Sequence, residues 1–341
     1  MQFSHKRVAV IFNPVGGSAK AGVIQKLKAH FAELGIELIE LTTTPAPGSA
    51  RELSAQAATM DVDLVIACGG DGTVCQSAEG LIGTGIPLAV FPAGTGNLFA
   101  RTFYSNPEPS RLVAMVAAGQ PQPLDMVAMT YRGEDGSEHK QLFLVAAGFG
   151  RISDAISGAT PKMKRLFGKL VYVVRMARAC MDPGPVRYVF TPYTLKPLPA
   201  MADTGRAEDR ARQGNTGGVA VASAASEYVA GTKVDVQAAA VFAINTVPPT
   251  MGSLSRGCNA SDGLIDVVAI TAGSFTRLLR TFSKFAQGRP DKADDYIRMR
   301  CPKLTIETSS PVTPNIDGDP GAPTRLIELT ALPGAVQIIV S

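Results

Sequence analysis

Tryptophan is absent, aromatic residues make up only 6% of the 341 residues, and charged residues only 18%. Thirty-three Lys and Arg against 29 Asp and Glu leave a net charge of +4, too little for the pervasive basic stripe of a nucleic-acid binder. No nucleic-acid partner is expected. The five cysteines, at 68, 75, 180, 258 and 301, are scattered and form no CxxC pair, which argues against a disulfide framework or zinc knuckle and for a reducing cytoplasm. No run approaches the roughly 18 uninterrupted apolar residues of a membrane-spanning helix. The first residues, MQFSHKRVAVIFNP, lead into a strand-like segment without a signal-peptide pattern. Neither a G-x-G-x-x-G after the first strand nor a GxxxxGK[ST] occurs, which disfavours a dinucleotide-binding dehydrogenase and a P-loop enzyme.

Hydrophobic residues, at 45%, are abundant enough to exclude wholesale disorder. Their spacing divides the chain in two. Residues 7–13 are an apolar strand ending in Pro14-Val15-Gly16-Gly17, and Val23, Leu27, Phe31 and Leu34 then recur at helical intervals. Strands at 36–41, 63–68 and 86–91 alternate with helices at 49–60 and 72–82, one starting near Gly96, and one at 109–118. Such alternation means βαβ units and a parallel sheet, whose ligands sit beyond the carboxyl ends of the strands.

After about residue 123 the pattern becomes strand-rich. A hairpin is expected from 124–131 and 141–147, then strands at 186–193, 219–224, 233–245, 264–271, 303–308, 325–331 and 335–340. Helices are expected near 162–179 and 274–287. The fold class is therefore an α/β domain with a parallel sheet followed by a β-sandwich or open barrel. The division is a nucleotide-binding domain over 1–127, to which the last few residues could return, and a β-rich domain over 128–341. The polar, Gly-rich stretch 197–218 reads as a flexible insertion.

Chemistry is concentrated at the strand ends. Gly69-Gly70-Asp71-Gly72-Thr73 follows the strand DLVIAC and opens a helix. Backbone amides there suit phosphate, and Asp71 suits magnesium beside a polyphosphate. A tight turn capped by Asp71 is the plainer reading. Pro92-Ala93-Gly94-Thr95-Gly96-Asn97 repeats the arrangement after the next strand, where Thr95 and Asn97 could bond phosphate or ribose. Asn13, after the first strand, could hydrogen-bond a nucleotide or simply shape a turn.

In this order, VIFNPVGGSAK, DLVIACGGDGTVCQSAEGL, PLAVFPAGTGNLFAR, AAGFG, NASDGLIDVV and NIDGDP resemble the diacylglycerol kinase catalytic-domain family, with bacterial soluble lipid kinases the nearest likeness. The GGDGT block alone is shared with NAD kinases and phosphofructokinases; the remaining blocks narrow it. The resemblance implies an α/β domain, a β-sandwich domain, ATP and Mg2+. It implies that Gly69, Gly70, Asp71, Gly72, Thr73, Gly94, Thr95 and Gly96 surround the phosphates and that Thr44 contacts ATP. Asp317 falls on the family's general base, with Asp319 in place of the usual Glu. Asp262, with backbone oxygens of Asn259 and Leu264, matches a magnesium site. From the residues alone Asp317-Gly318 is an ordinary hairpin turn. Two departures stand out: Leu98 replaces the family's frequent Asp, and Asn245 is followed by TVPPTMGSLS rather than a Gly-rich run.

The implied reaction is transfer of the ATP γ-phosphate to the hydroxyl of a diacylglycerol-like or sphingoid lipid. The alternatives are an NAD kinase-like enzyme and a non-catalytic nucleotide-binding regulator. The basic stretch 162–178, with Lys162, Lys164, Arg165, Lys169, Arg175 and Arg178, suits either an anionic membrane surface or an ordinary solvated helix face. Residues 275–289 allow the same two readings. The expected location is cytoplasmic, with peripheral contact at the inner membrane face; an oligomer is open. His5, His30 and His139 receive no role.

Overall fold

The computed structural model describes residues 6–15, 21–104, 108–150, 186–193, 231–247, 255, 257–271, 274–287 and 295–340. The insertion 197–218, the basic stretch 162–178 and the strand expected at 219–224 lie outside the described residues. The described chain forms two units: residues 1–126 with 260–263 and 332–341, and residues 127–259 with 264–331.

In the first unit, short apolar runs become a parallel sheet because helices cover both faces. β1 (Arg7–Phe12), β2 (Glu37–Thr42), β3 (Leu64–Gly69) and β4 (Leu88–Pro92) lie in the order β2-β1-β3-β4. α1 (Ala21–Glu33) and α5 (Pro109–Ala118) pack on one face, burying Leu27, Phe31, Leu112 and Val116 against Val10, Ile66 and Phe91. α2 (Ser49–Ala57) and α3 (Asp71–Leu81) are packed together, and each also touches the sheet. α4 (Leu98–Phe103) is a single short helix after β4. Chain order reverses between β1 and β3, so the loops after these strands diverge, the geometry in which open α/β sheets bind ligands.

In the second unit, one sheet contains β8 (Val186–Pro192), β9 (Val234–Ala238) and β13 (Lys303–Val312), with β13 pairing the early part of β16 (Thr324–Ile339). β5 (Pro121–Gly133) and β6 (Glu138–Phe143) form a hairpin. The other sheet has the order β12-β11-β10-β7-β14-β15: Tyr296–Cys301, Ile265–Ile270, Ala240–Ile244, Ala146–Phe149, Asn315–Ile316 and Asp319–Pro320. Phe143, Phe149, Tyr188, Phe190, Val267 and Ile306 belong to the shared core of this sandwich. α6 (Phe275–Ala286) follows β11.

The expected strand at 233–245 is two strands in different sheets. At Ala239 the chain leaves β8 and enters the second sheet, where the Ala239 N–H donates to the Ile270 carbonyl at 2.8 Å. The run 141–147 divides likewise between β6 and β7. Conversely, the two strands expected around Pro333-Gly334 are one strand, β16. Gly334 adopts φ +56° and its N–H donates to Asp125 Oδ1 at 2.8 Å, which carries the strand through the proline. β12 was not foreseen, because its sequence YIRMRC places two arginines in a buried strand. Asp266, on the neighbouring strand, accepts from Arg298 Nε at 2.7 Å and lies 3.3 Å from Arg300 Nε, which offsets the cost of burying those charges.

Candidate active site

Two glycine loops meet back to back in the first unit. The Ala93 N–H donates to the Gly69 carbonyl at 2.9 Å, continuing the β3–β4 ladder to its end. Beyond it, a Cβ on Gly94 would lie 2.4 Å from the Gly70 Cα, and one on Gly69 would lie 2.5 Å from Thr73 Oγ1. Neither position admits a side chain without a shift. Gly94 is therefore required by close approach of backbone to backbone, and Gly69 by the Thr73 side chain packed against it, beyond what a turn demands.

α3 starts at once after the first loop. Gly70 is its extended N-cap, and Val74 is the first residue to return an N–H, to the Gly70 carbonyl at 3.0 Å. The N–H groups of Asp71, Gly72 and Thr73 thus have no intrahelical acceptor, by position. Together with the helix dipole they form an anion-binding end. Asn13 reaches across the switch point: its Nδ2 donates to Thr73 Oγ1 at 2.9 Å, while its Oδ1 accepts from the Val15 N–H at 3.0 Å. Thr73 is thereby oriented, with its own hydroxyl proton as a donor. Thr44 lies two residues past the end of β2, exposed, its N–H held by Ser49 Oγ at 3.0 Å.

The second loop is braced internally. Asn97 takes the left-handed conformation at φ +48°, and its amide grips Gly94 at both ends: Oδ1 accepts from the Gly94 N–H at 2.9 Å, and Nδ2 donates to the Gly94 carbonyl at 2.8 Å. Both ends of the amide expected to reach ribose or phosphate are engaged by Gly94 in this structure. Thr95 and Gly96, between these anchors, are exposed. Asp71 Oδ1 accepts the Phe99 N–H at 2.9 Å and so ties the start of α3 to the start of α4, while a Cβ on Gly96 would lie 3.2 Å from Oδ2. Asp71 is thus not the cap of α3, whose N-cap is Gly70 with no side-chain cap bond, but a carboxylate that holds the start of α4 and faces the second loop.

Among the described residues no three His, Cys, Asp or Glu side chains cluster as a metal centre. That donor set still fits magnesium, a hard cation that takes one or two carboxylates and completes its shell with phosphate oxygens and water. Asp71 Oδ2 is suitably placed for this. Asp262 lies near Asp125, whose carboxyl group is raised above the usual range, chiefly by burial and further by the Asp262 charge. Asn259 and Leu264 flank the 260–263 segment in sequence.

Asp125 is a residue that sequence reasoning missed. It is 1% exposed; Oδ2 accepts the Gly263 N–H at 2.7 Å and Oδ1 accepts that of Gly334 at 2.8 Å. Its own N–H donates to the Ala260 carbonyl at 2.6 Å. The available signal was a lone carboxylate inside the apolar run Leu124–Val127. Behind the phosphate loop, burial pushes the Cys68 thiol up to about 12, with the Glu40 charge adding to it. A neutral thiol there suits packing rather than reactivity.

The second unit presents Asp317 on the β14–β15 hairpin. It takes φ +48°, and its carboxylate accepts three backbone N–H groups: Val145 and Ala146 on Oδ1 and Leu144 on Oδ2, each at 2.9 Å. Its own N–H donates to the Ala146 carbonyl at 3.0 Å. This exceeds the needs of a hairpin turn and fixes one side chain in position. Asp319 is exposed on the same hairpin. Nearby, the Tyr131 hydroxyl accepts the Ala322 N–H at 3.3 Å, while the Tyr131 ring stacks on His139.

The described chain is an α/β unit with paired glycine loops, joined in sequence to a β-sandwich. The model for the diacylglycerol kinase catalytic domain matches residues 7–129, and that for the YegS C-terminal NAD kinase beta sandwich-like domain matches residues 220–340. A diacylglycerol kinase of Mycobacterium tuberculosis (strain ATCC 25618 / H37Rv) is 26% identical over 98% of this chain and 94% of its own. One from Bacillus subtilis (strain 168) is 33% identical over 50% of this chain and 54% of its own. Among solved structures, a diacylglycerol kinase from Bacillus anthracis str. Sterne has a TM-score of 0.63 at 18% identity, over 100% of this chain and 98% of the other. Yeast NADH kinase has a TM-score of 0.50 at 12% identity, over 99% and 84%, a likeness of fold. The chain belongs to the diacylglycerol kinase catalytic-domain family of lipid kinases.

Proposed function

We propose that this enzyme transfers the γ-phosphate of ATP to the hydroxyl of a diacylglycerol-like or sphingoid lipid. The observation that carries the reading is the contact of Gly70 with Gly94, which aligns two backbone loops at the carboxyl ends of successive strands. The first-turn N–H groups of α3 and the Thr73 hydroxyl bind the phosphates. Thr95 and Gly96 approach from the second loop, which Asn97 holds in shape. Thr44 meets the nucleotide from the end of β2.

Magnesium, when bound, neutralises charge on the polyphosphate; Asp71 would hold it there, and Asp262, with backbone oxygens of Asn259 and Leu264, would hold a second ion. An alcohol does not ionise near neutral pH, so Asp317 accepts its proton as the new P–O bond forms. The three N–H donors keep that carboxylate aimed while it does so, and Asp319 adds negative charge beside it. The acceptor comes from a membrane, which places the enzyme in the cytoplasm and at the inner membrane face.

The test is transfer of labelled γ-phosphate to a lipid panel in mixed micelles with magnesium, comparing wild type with Asp317→Asn. A base contributes about 10²–10⁴-fold, so product from one lipid class should fall by that factor with the KM for ATP little changed. Equal turnover by the variant removes Asp317 as base. Turnover of NAD with no lipid product would replace this reading with an NAD kinase, and ATP binding without turnover on any acceptor would replace it with a regulator.

A further inference from the structure

α6 carries Arg277, Arg280 and Lys284 and no acidic residue. Its inner side is accounted for by packing. Leu278 is 1% exposed in a cluster with Phe242 and Val268, and Thr281 is buried as well. Arg277 at its first turn is ion-paired with the buried Asp295. The opposite side consists of Thr276, Leu279, Arg280, Ser283 and Gln287, all exposed. At helical spacing these residues share one face, and the half-buried Lys284 borders it one turn beyond Arg280.

Leu279 is 58% exposed, so it adds little to the core. Among the described residues it is one of five large hydrophobics so placed, with Val15, Ile82, Tyr193 and Leu326. Of these only Leu279 lies within a helix, next to the exposed Arg280. Among the described residues no acidic side chain pairs with Arg280 or Lys284. An exposed apolar side chain beside cations that have no acidic partner among the described residues matches the boundary of a bilayer, where acyl chains meet anionic phosphates.

We propose that the outer face of α6 docks this enzyme on an anionic lipid bilayer, with Leu279 immersed and Arg280 and Lys284 at the level of the phosphates. The identity of the surface as a membrane rests on the lipid-kinase reading above. The face itself rests on the exposure and charge of α6.

The test is flotation of the full-length protein with phosphatidylcholine vesicles, with and without phosphatidylglycerol. Wild type should bind the anionic vesicles and release as salt rises. Arg280→Gln with Lys284→Gln should weaken that binding about thirtyfold, and Leu279→Ser roughly tenfold. All three side chains lie outside the core, so thermal unfolding should match wild type. On a short-chain acceptor dispersed as monomers, the variants should keep wild-type kcat/KM and lose activity only on vesicles. Undiminished vesicle binding by both variants overturns the proposal, as does absence of binding by wild type. Equal loss on monomers and vesicles also overturns it, because the helix would then act through the site. If wild type binds through α6 but phosphorylates no lipid in either form, the docking face stands and the lipid-kinase reading falls.

Discussion

The two glycine loops of the first unit and the Asp317 hairpin of the second solve opposite problems. In the loops the backbone is the functional surface, and side chains are excluded or turned back to brace it. Gly69 and Gly94 have no space for a Cβ, and Asn97 commits its amide to Gly94. On the hairpin a side chain is the functional group, and backbone is turned inward to hold it through three N–H groups. The difference separates the expected effects of substitution: the loops should govern nucleotide affinity, and the hairpin turnover.

The largest contrast comes from making the same change in both regions. In Gly94→Ala the added Cβ would lie 2.4 Å from the Gly70 Cα, so one loop must move. Overpacking of this kind costs about 1–3 kcal/mol, and a displacement near 1 Å at a reacting centre costs about 10²-fold in rate. Gly318→Ala meets nothing within 4 Å and pays only for φ +106°, about 1–3 kcal/mol of strain. Steady-state kinetics should show Gly94→Ala losing ATP affinity and activity together. Gly318→Ala should retain ATP affinity, with turnover falling as Asp317 is displaced. Loss of ATP affinity in Gly318→Ala alone would break the distinction.

Asn97→Gly sharpens it at smaller scale. Glycine accepts φ +48° without strain, so the change removes only the two hydrogen bonds to Gly94, a loss of about 1–3 kcal/mol. The KM for ATP should rise roughly tenfold with kcat nearly unchanged. A fall in kcat at constant KM would show that Asn97 acts on the reaction and not on the loop.

What could be read from the sequence follows the same division. β1, β3 and β4 are continuous apolar runs, and their helices have clear spacing, so the parallel sheet was evident before any contact was known. In the second unit, strand existence was legible but sheet membership was not. VDVQA and AVFAI join without a turn residue, and only the pairing of Ala239 with Ile270 shows where the chain changes sheets. YIRMRC could not announce a buried strand, because the Asp266 that neutralises its arginines lies on another strand. At the site, glycine spacing revealed the loops. The direction of the Asn97 amide and the grip on Asp317 depend on φ values and long-range pairing that no local pattern encodes.

Asp125 provides the finest comparison, since it too is a carboxylate held by backbone N–H groups, but in the first unit. Burial raises its pKa above 3.8 more than the bonds from Gly334 and Gly263 lower it, and Asp262 adds to the rise. A raised folded value means that the native state holds the proton where the unfolded chain has released it. The resulting stabilisation is fully present below pH 3.8 and is lost as pH rises through the folded value. Asp125→Asn cannot titrate and should lack this slope, whatever fixed penalty its amide incurs opposite two N–H donors. Denaturant unfolding across a pH series starting near 4 should therefore show the variant gaining on wild type as pH increases. A difference independent of pH would mean that the carboxylate titrates alike in the folded and unfolded chain, its hydrogen bonds offsetting its burial.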